Sequence, residues 1–290
     1  MNYIKFVNYL NNISLKKFLK DNCISMRAYK DLLKDGILVN DKLVYKNISL
    51  KEKDVVKIPI VDEDYDYEPI RGMLKIVYED DNIIVSNKDY GITVNSKNQV
   101  SLANHIAYYF REENIRTKIR LINRLDMNTS GLMMVAKNKY AQAFYQKQIE
   151  ENLITKKYLA YVEGKLDIDK LYKIKLSYDE DNKLNYENKD GKEAITYFRT
   201  INSNDKYSLI ECDIKTGKTH QIRASLNTLG HPILGDMLYG SKYKLERFLL
   251  HSYFLKFNEF MSEESIILKD YPDFKPFLEN LWKYLSWKKV

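Results

Sequence analysis

Residues Ile122 to Ala136 read INRLDMNTSGLMMVA, and the fold of the chain turns on this stretch. Its second half, Leu132-Met133-Met134-Val135-Ala136, is a short continuous apolar run of the kind that forms a strand buried on both faces. Its first half is polar and crowded with special residues. Asp126 stands two residues after Arg124, and Thr129-Ser130-Gly131 follows before the strand begins. Packing gives little reason for an acid between a cation and a Thr-Ser-Gly turn at the mouth of a core strand. Loop residues held by a rigid scaffold are where chemistry concentrates. A carboxylate there can be a nucleophile, a base, a metal ligand or a turn cap. Met127 and Asn128 are poor second ligands for a metal. A positive neighbour favours the ionised carboxylate, which suits a nucleophile or base better than a general acid.

The chain of 290 residues has room for about two domains at ~100–200 residues each. Its 44% hydrophobic and 30% charged residues are ordinary globular composition. No apolar run approaches the ~18 residues of a membrane span, and MNYIKFVNYL lacks the pattern of a signal peptide. Cys23 and Cys212 are far apart, so they suggest neither a disulfide framework nor zinc ligation. A reducing cytoplasm is the expected setting. No HExxH, GxxxxGK[ST] or GxGxxG occurs, which leaves a catalytic metal or nucleotide cofactor without support.

The net charge of +7 is unevenly placed. Residues 1–60 hold 12 Lys/Arg against 6 Asp/Glu, a net of +6, which leaves +1 for all the rest. A basic module joined to a nearly neutral body suggests docking to a polyanion, against the alternative of a solvated Lys-rich surface. Helices are expected over 14–23, with Ser14 as N-cap, and over 25–35, stopped by Gly36. Strands follow at 37–44 around Asn40-Asp41 and at 55–58. The acidic stretch 61–72, with Pro69, reads as a linker. The body, 73–290, opens with strands at 74–78 and 83–86. Helices are expected at 101–114, 138–151 and 273–287, strands over 154–216, and a loop-rich excursion at 177–193. The pattern is α+β.

Two further segments carry candidate chemistry. In Lys157-Tyr158-Leu159-Ala160-Tyr161-Val162-Glu163-Gly164, alternation puts Tyr158, Ala160 and Val162 on one strand face. Tyr158 could stack on a planar base or, as one of 24 Tyr, simply pack in a core. In Thr216-Gly217-Lys218-Thr219-His220-Gln221-Ile222-Arg223, two cations, a His and a Gln would be costly in a core but suit a pocket for an anionic ligand. His220 and His231 read as local hydrogen-bonding residues in turns.

The N-terminal segments LKKFLKDNCISMRAYKDLLKDGILVNDKLV and LKEKDVVKI resemble the S-four-like RNA-binding domain. That resemblance implies a small helix-helix-hairpin domain over 1–60, with RNA-facing Lys16, Lys17, Lys20, Arg27, Lys30 and Lys34. The rest resembles the RluA-type pseudouridine synthases through an ordered set of segments: LKIVYEDDNIIVSNKDYG, INRLDMNTSGLMMVAK, KKYLAYVEG, KEAITYF, TGKTHQIRASLNTLGHPILGDMLYG and LLHSYFLKF. The resemblance implies a larger, mixed, mainly antiparallel β-sheet catalytic domain with flanking helices. It implies an isomerase that converts uridine in RNA to pseudouridine with neither cofactor nor metal. RNA is the implied partner, large-subunit ribosomal RNA before transfer RNA, and a monomer is expected. Asp126 matches the family's catalytic aspartate, Arg124 the Arg that holds the target base out of the helix, and Tyr158 the pocket Tyr. Arg223 matches the aspartate's basic partner, Ile222 an apolar wall, and Lys218 a position usually Arg. Asn123 stands where the family usually has His, and Asp89 where a Pro is common. The competing readings are a non-catalytic RNA-binding descendant of a synthase and an Asp/His hydrolase of small molecules. Intact Asp126, Tyr158 and Arg223 count against the first, and the basic N-terminal module against the second.

Overall fold

In a computed structural model the described residues are 2–279. The N-terminal unit comprises β1 (Asn2–Val7), β2 (Ile13–Ser14), α1 (Leu15–Asp21), α2 (Met26–Asp35), β3 (Ile37–Val39), β4 (Lys42–Val44), β5 (Ser49–Leu50) and β6 (Val55–Ile60). Both helices start where side chains satisfy free N–H groups: Ser14 Oγ accepts from the Lys17 amide and Ser25 Oγ from that of Ala28. Asn40 and Asp41 both take positive φ, 49° and 62°. That pair of values belongs to the turn whose twist matches a two-residue hairpin between β3 and β4. The four-stranded sheet runs β1-β6-β3-β4. β1 went unread in the sequence, although Ile4 and Phe6 alternate inward from it. β6 also extends through Pro59, which lies opposite Tyr3.

The body contains β7 (Lys75–Glu79), β8 (Ile83–Lys88), α3 (Leu102–Glu112), β9 (Arg120–Leu121), β10 (Ser130–Ala136), α4 (Lys139–Glu150) and β11 (Thr155–Glu163). It continues with β12 (Asp169–Asp179), β13 (Leu184–Glu187), β14 (Lys192–Ser203), β15 (Tyr207–Ile214), α5 (Gln221–Thr228), β16 (Leu250–Asn258) and β17 (Ser265–Lys269). They form one mixed sheet in the order β13-β12-β14-β15-β11-β16-β10-β8-β7, with β9 and β17 off this path. Every pairing is antiparallel except β10 with β16. β10, the apolar run of the opening stretch, is buried along its whole length. The excursion at 177–193 is no loop: β12 runs on to Asp179 and pairs with β13 in a hairpin. Alternating Ile174 and Leu176 bury that hairpin against Ala224 and Tyr239, which is why it is ordered. The helix expected over 273–287 lies mostly outside the described residues.

Gly131 is required where β10 meets β16. Its φ is +117°, and a Cβ there would sit 2.3 Å from the Ser252 carbonyl oxygen. This close approach brings the start of β10, and the Asp126 loop before it, beside β16. The acidic stretch 61–72 packs on the body: Tyr65 Oη donates to the Ile115 carbonyl, and Asp66 accepts from the Ile119 amide. The two units also touch, because Tyr140 of α4 is part of the N-terminal unit's apolar core.

Candidate active site

Asp126 lies in the turn between β9 and β10. Leu125 is buried, so its neighbours point the other way. Arg124 is exposed at the rim of a cavity of about 590 Å³, and Asp126 lines it. The turn is fixed from several sides. The Thr129 amide donates to the Asp126 carbonyl, and the Gly91 amide to that of Met127. Asn123 Oδ1 accepts from the Met134 amide at 2.8 Å, tying the loop back onto β10. The fully buried Lys88 Nζ donates to the carbonyls of Asp89, Ile92 and Met127 at 2.7–2.9 Å. Burial lowers its pKa to about 7, with nearby Arg247 acting in the same direction.

Arg223 comes from the first turn of α5 and is 5% exposed. Its Nη1 donates to Asp126 Oδ2 at 3.1 Å. Its Nε and Nη2 donate to the two oxygens of Asp236 at 2.7 and 2.9 Å. The fork therefore spans two carboxylates, a geometry an ammonium could not reproduce. The guanidinium also lies 4.8 Å from the Tyr239 ring centroid and 4.4 Å from that of Phe248. Burial opposes its charge, but the two acids outweigh burial and the pKa rises.

Tyr158 lines the same cavity from β11 and is 7% exposed. It belongs to the main apolar core as well. Burial raises its pKa, and the charge of Asp126 adds to the effect. Ile222 and Lys218 line the cavity from the 216–223 segment, Ile222 buried and Lys218 exposed. Five residues read from the sequence therefore share one cavity with Asp126: Arg124, Tyr158, Lys218, Ile222 and Arg223. The six N-terminal basic residues are elsewhere, all exposed on α1 and α2. Lys17 and Lys34 pair within their helices with Asp21 and Asp31.

Three residues at the site were missed in the sequence. Asp236 is 1% exposed and anchors Arg223; the polar Gly235-Asp236 pair gave no sign of its partner 13 residues away. Lys156 lines the cavity two residues before Tyr158, as strand alternation allows, and burial lowers its pKa. His220 faces Asp126, with Nε2 3.8 Å from Oδ2. It does more than the local turn bonding expected of it. His231 also departs from that expectation: its Nδ1 lies 2.7 Å from the carbonyl of Glu163 at the end of β11, a long-range bond.

The profile of RNA pseudouridylate synthase matches residues 82–228, which include Asp126, Tyr158 and Arg223. The chain belongs to this family. The synthase is 35% identical over 242 residues to an RNA pseudouridine synthase of Bacillus subtilis, covering 79% of this chain and 80% of that one. It is 31% identical over 262 residues to the ribosomal large subunit pseudouridine synthase C of Vibrio cholerae, covering 82% of each. Among solved structures it resembles the human RNA pseudouridylate synthase domain-containing protein 1. The TM-score is 0.59 at 24% identity over 70% of this chain and 85% of that one, a likeness of fold. Among the described residues, no helix of the synthase is long and apolar enough to cross a membrane.

Proposed function

We propose that this synthase isomerises uridine in large-subunit ribosomal RNA, with Asp126 as the acting carboxylate. The observation that carries the reading is the chain Asp126–Arg223–Asp236. A half-buried acid faces an open cavity, its charge is matched by a guanidinium, and that guanidinium is locked by a second, fully buried acid. A core has no need of such an arrangement, whereas a reaction that develops charge at one carbon does. A uridine inside a duplex is out of reach and must be flipped out at a cost of a few kcal/mol. Arg124, exposed at the rim, is placed to occupy the vacated space. Tyr158 and Ile222 form the walls against which the base is held while the nitrogen–carbon glycosidic bond breaks and the carbon–carbon bond forms.

The substrate class rests on the relative from Vibrio cholerae and on the basic N-terminal unit. Residues 1–60 are assigned to an S-four-like RNA-binding domain, followed by a connecting segment at 61–72 and the catalytic domain from 73. Lys16, Lys20, Arg27 and Lys30 form no close ion pair among the described residues, which leaves them available to phosphates. The purified protein should release tritium from RNA labelled at uracil carbon 5. Asp126→Asn should abolish release while RNA binding persists; full turnover in that variant would remove Asp126 from the mechanism.

A further inference from the structure

We propose that His220 accepts a hydrogen bond from the 2′-hydroxyl of the target nucleotide and makes the site selective for ribose over 2′-deoxyribose. This rests on the reading of Asp126 as the group that acts beside the anomeric carbon of a bound uridine.

The argument starts from a count of hydrogens. Tyr239 Oη has one proton and lies within reach of three groups. The Asn185 amide donates to it at 2.8 Å, and it donates to the Asn185 carbonyl at 3.1 Å. His220 Nδ1 is the third, also at 3.1 Å. With the phenolic proton given to the Asn185 carbonyl, all three contacts are satisfied only if Nδ1 carries the imidazole proton. The opposite tautomer would leave the carbonyl of Asn185, a residue 7% exposed, without that bond. The Nδ1–H form leaves Nε2 with a bare lone pair. Burial lowers the pKa of His220, the Asp126 charge acting against it, which favours the neutral ring.

Nε2 lies 3.8 Å from Asp126 Oδ2, and both residues line the cavity. Two acceptors thus face each other with no proton between them, too far apart to bond and too close to be indifferent. The arrangement is built for a donor that arrives with the substrate. His220 holds φ +53°, in the left-handed region where Asn, Asp and His are the most frequent non-glycine residues. The ring is wedged edge-on against Tyr239 at 5.7 Å between centroids. Tyr239 is in turn buried against the β12–β13 hairpin. On a uridine whose anomeric carbon is at Asp126, the hydroxyl on the adjacent carbon is the 2′-OH. It is the group that distinguishes RNA from DNA.

The test uses a synthetic RNA fragment containing the uridine mapped as the protein's target, made with ribose or 2′-deoxyribose at that one nucleotide. Conversion is followed in single turnover. The wild type should prefer ribose by about tenfold or more, the value of one well-placed hydrogen bond. Asn tolerates the left-handed backbone and reaches the Tyr239 hydroxyl with its short amide. His220→Asn therefore removes only the Nε2 end. It should lose about tenfold on ribose and nothing on deoxyribose, bringing the ratio near one. His220→Gln returns an amide to the vacated position and should recover part of the preference. If His220→Asn loses the same factor on both fragments, or the wild type shows no preference, the proposal is overturned and the synthase reading stands. A wild type inert on the ribose fragment overturns both.

Discussion

Replacing Arg223 by Met keeps the apolar contact with Tyr239 and Phe248 but strips both carboxylates of their cation. Asp236 is then the problem. It is 1% exposed, and both its oxygens are bonded to Arg223 at 2.7 and 2.9 Å. A buried acid whose partner has been removed costs about 3–5 kcal/mol, whereas an apolar pair of similar volume in place of both is close to neutral. Arg223→Met should therefore lose about 3–5 kcal/mol in urea unfolding. The double variant Arg223→Met/Asp236→Leu should return to within about 1 kcal/mol of wild type. Activity should behave differently. Asp126 is partly exposed to the cavity and has lost its 3.1 Å donor in both variants. Removal of one preorganised charge contact of this kind costs roughly hundredfold or more in turnover. Tritium release should fall by that factor in the single variant and stay low in the double one. A double variant that regains activity together with stability would refute the reasoning, because it would make Arg223 a support for Asp236 with no role at Asp126.

Two further outcomes follow from charges elsewhere. His251 is 3% exposed, its Nε2 donating to the Asp270 carbonyl and its Nδ1 2.7 Å from Ser130 Oγ, and burial lowers its pKa to about 4. The unfolded chain takes up that proton near pH 6.5 and the folded one only near 4, so stability is lost as pH falls through this window. By pH 5 the loss is about 2 kcal/mol from this group. His251→Gln should flatten the difference between unfolding at pH 7 and pH 5 by that amount, and an unchanged difference would exclude His251 as its source. On the N-terminal unit, changing Lys16, Lys20, Arg27 and Lys30 to Ala together should weaken RNA binding and reduce the slope of log K against log salt by up to about 3. An unaltered slope would make these residues a solvated surface. Point substitutions serve better than deletion of 1–60, because deletion would uncover Tyr140.

What the sequence could show, and what it could not, follows from how far each signal reaches along the chain. Ser14, Ser25, Ser101 and Asn138 stand at the starts of α1, α2, α3 and α4 because an N-cap and its helix are contiguous in sequence. β10 was legible because burial on both faces writes an unbroken apolar run. β13 was not, since LNYE pairs on one side only and borrows its burial from Tyr239, which bonds Asn185 from 54 residues away. The same distinction runs through the site. Asp126 was conspicuous as an acid beside a cation in a turn, and Tyr158 could be placed on a strand face by alternation. Asp236 and His220 were not, for what defines each is a partner brought near by the fold: the Arg223 fork for one, and the Tyr239 hydroxyl and Asp126 carboxylate for the other.

This separation also explains why the acid sits where it does. The β10–β16 contact, possible only because Gly131 has no side chain, fixes the loop that presents Asp126. α5 and the Asp236 turn arrive from the other side and present Arg223. The carboxylate and its counter-charge therefore belong to two separately anchored elements with the cavity between them. Each is held by contacts that do not involve the other: Lys88 and Asn123 for the loop, Asp236 for the guanidinium. A substrate entering between them can displace the single 3.1 Å bond that joins the two sides without loosening either. A surface ion pair on one helix could not be opened in this way, because its partners share one backbone.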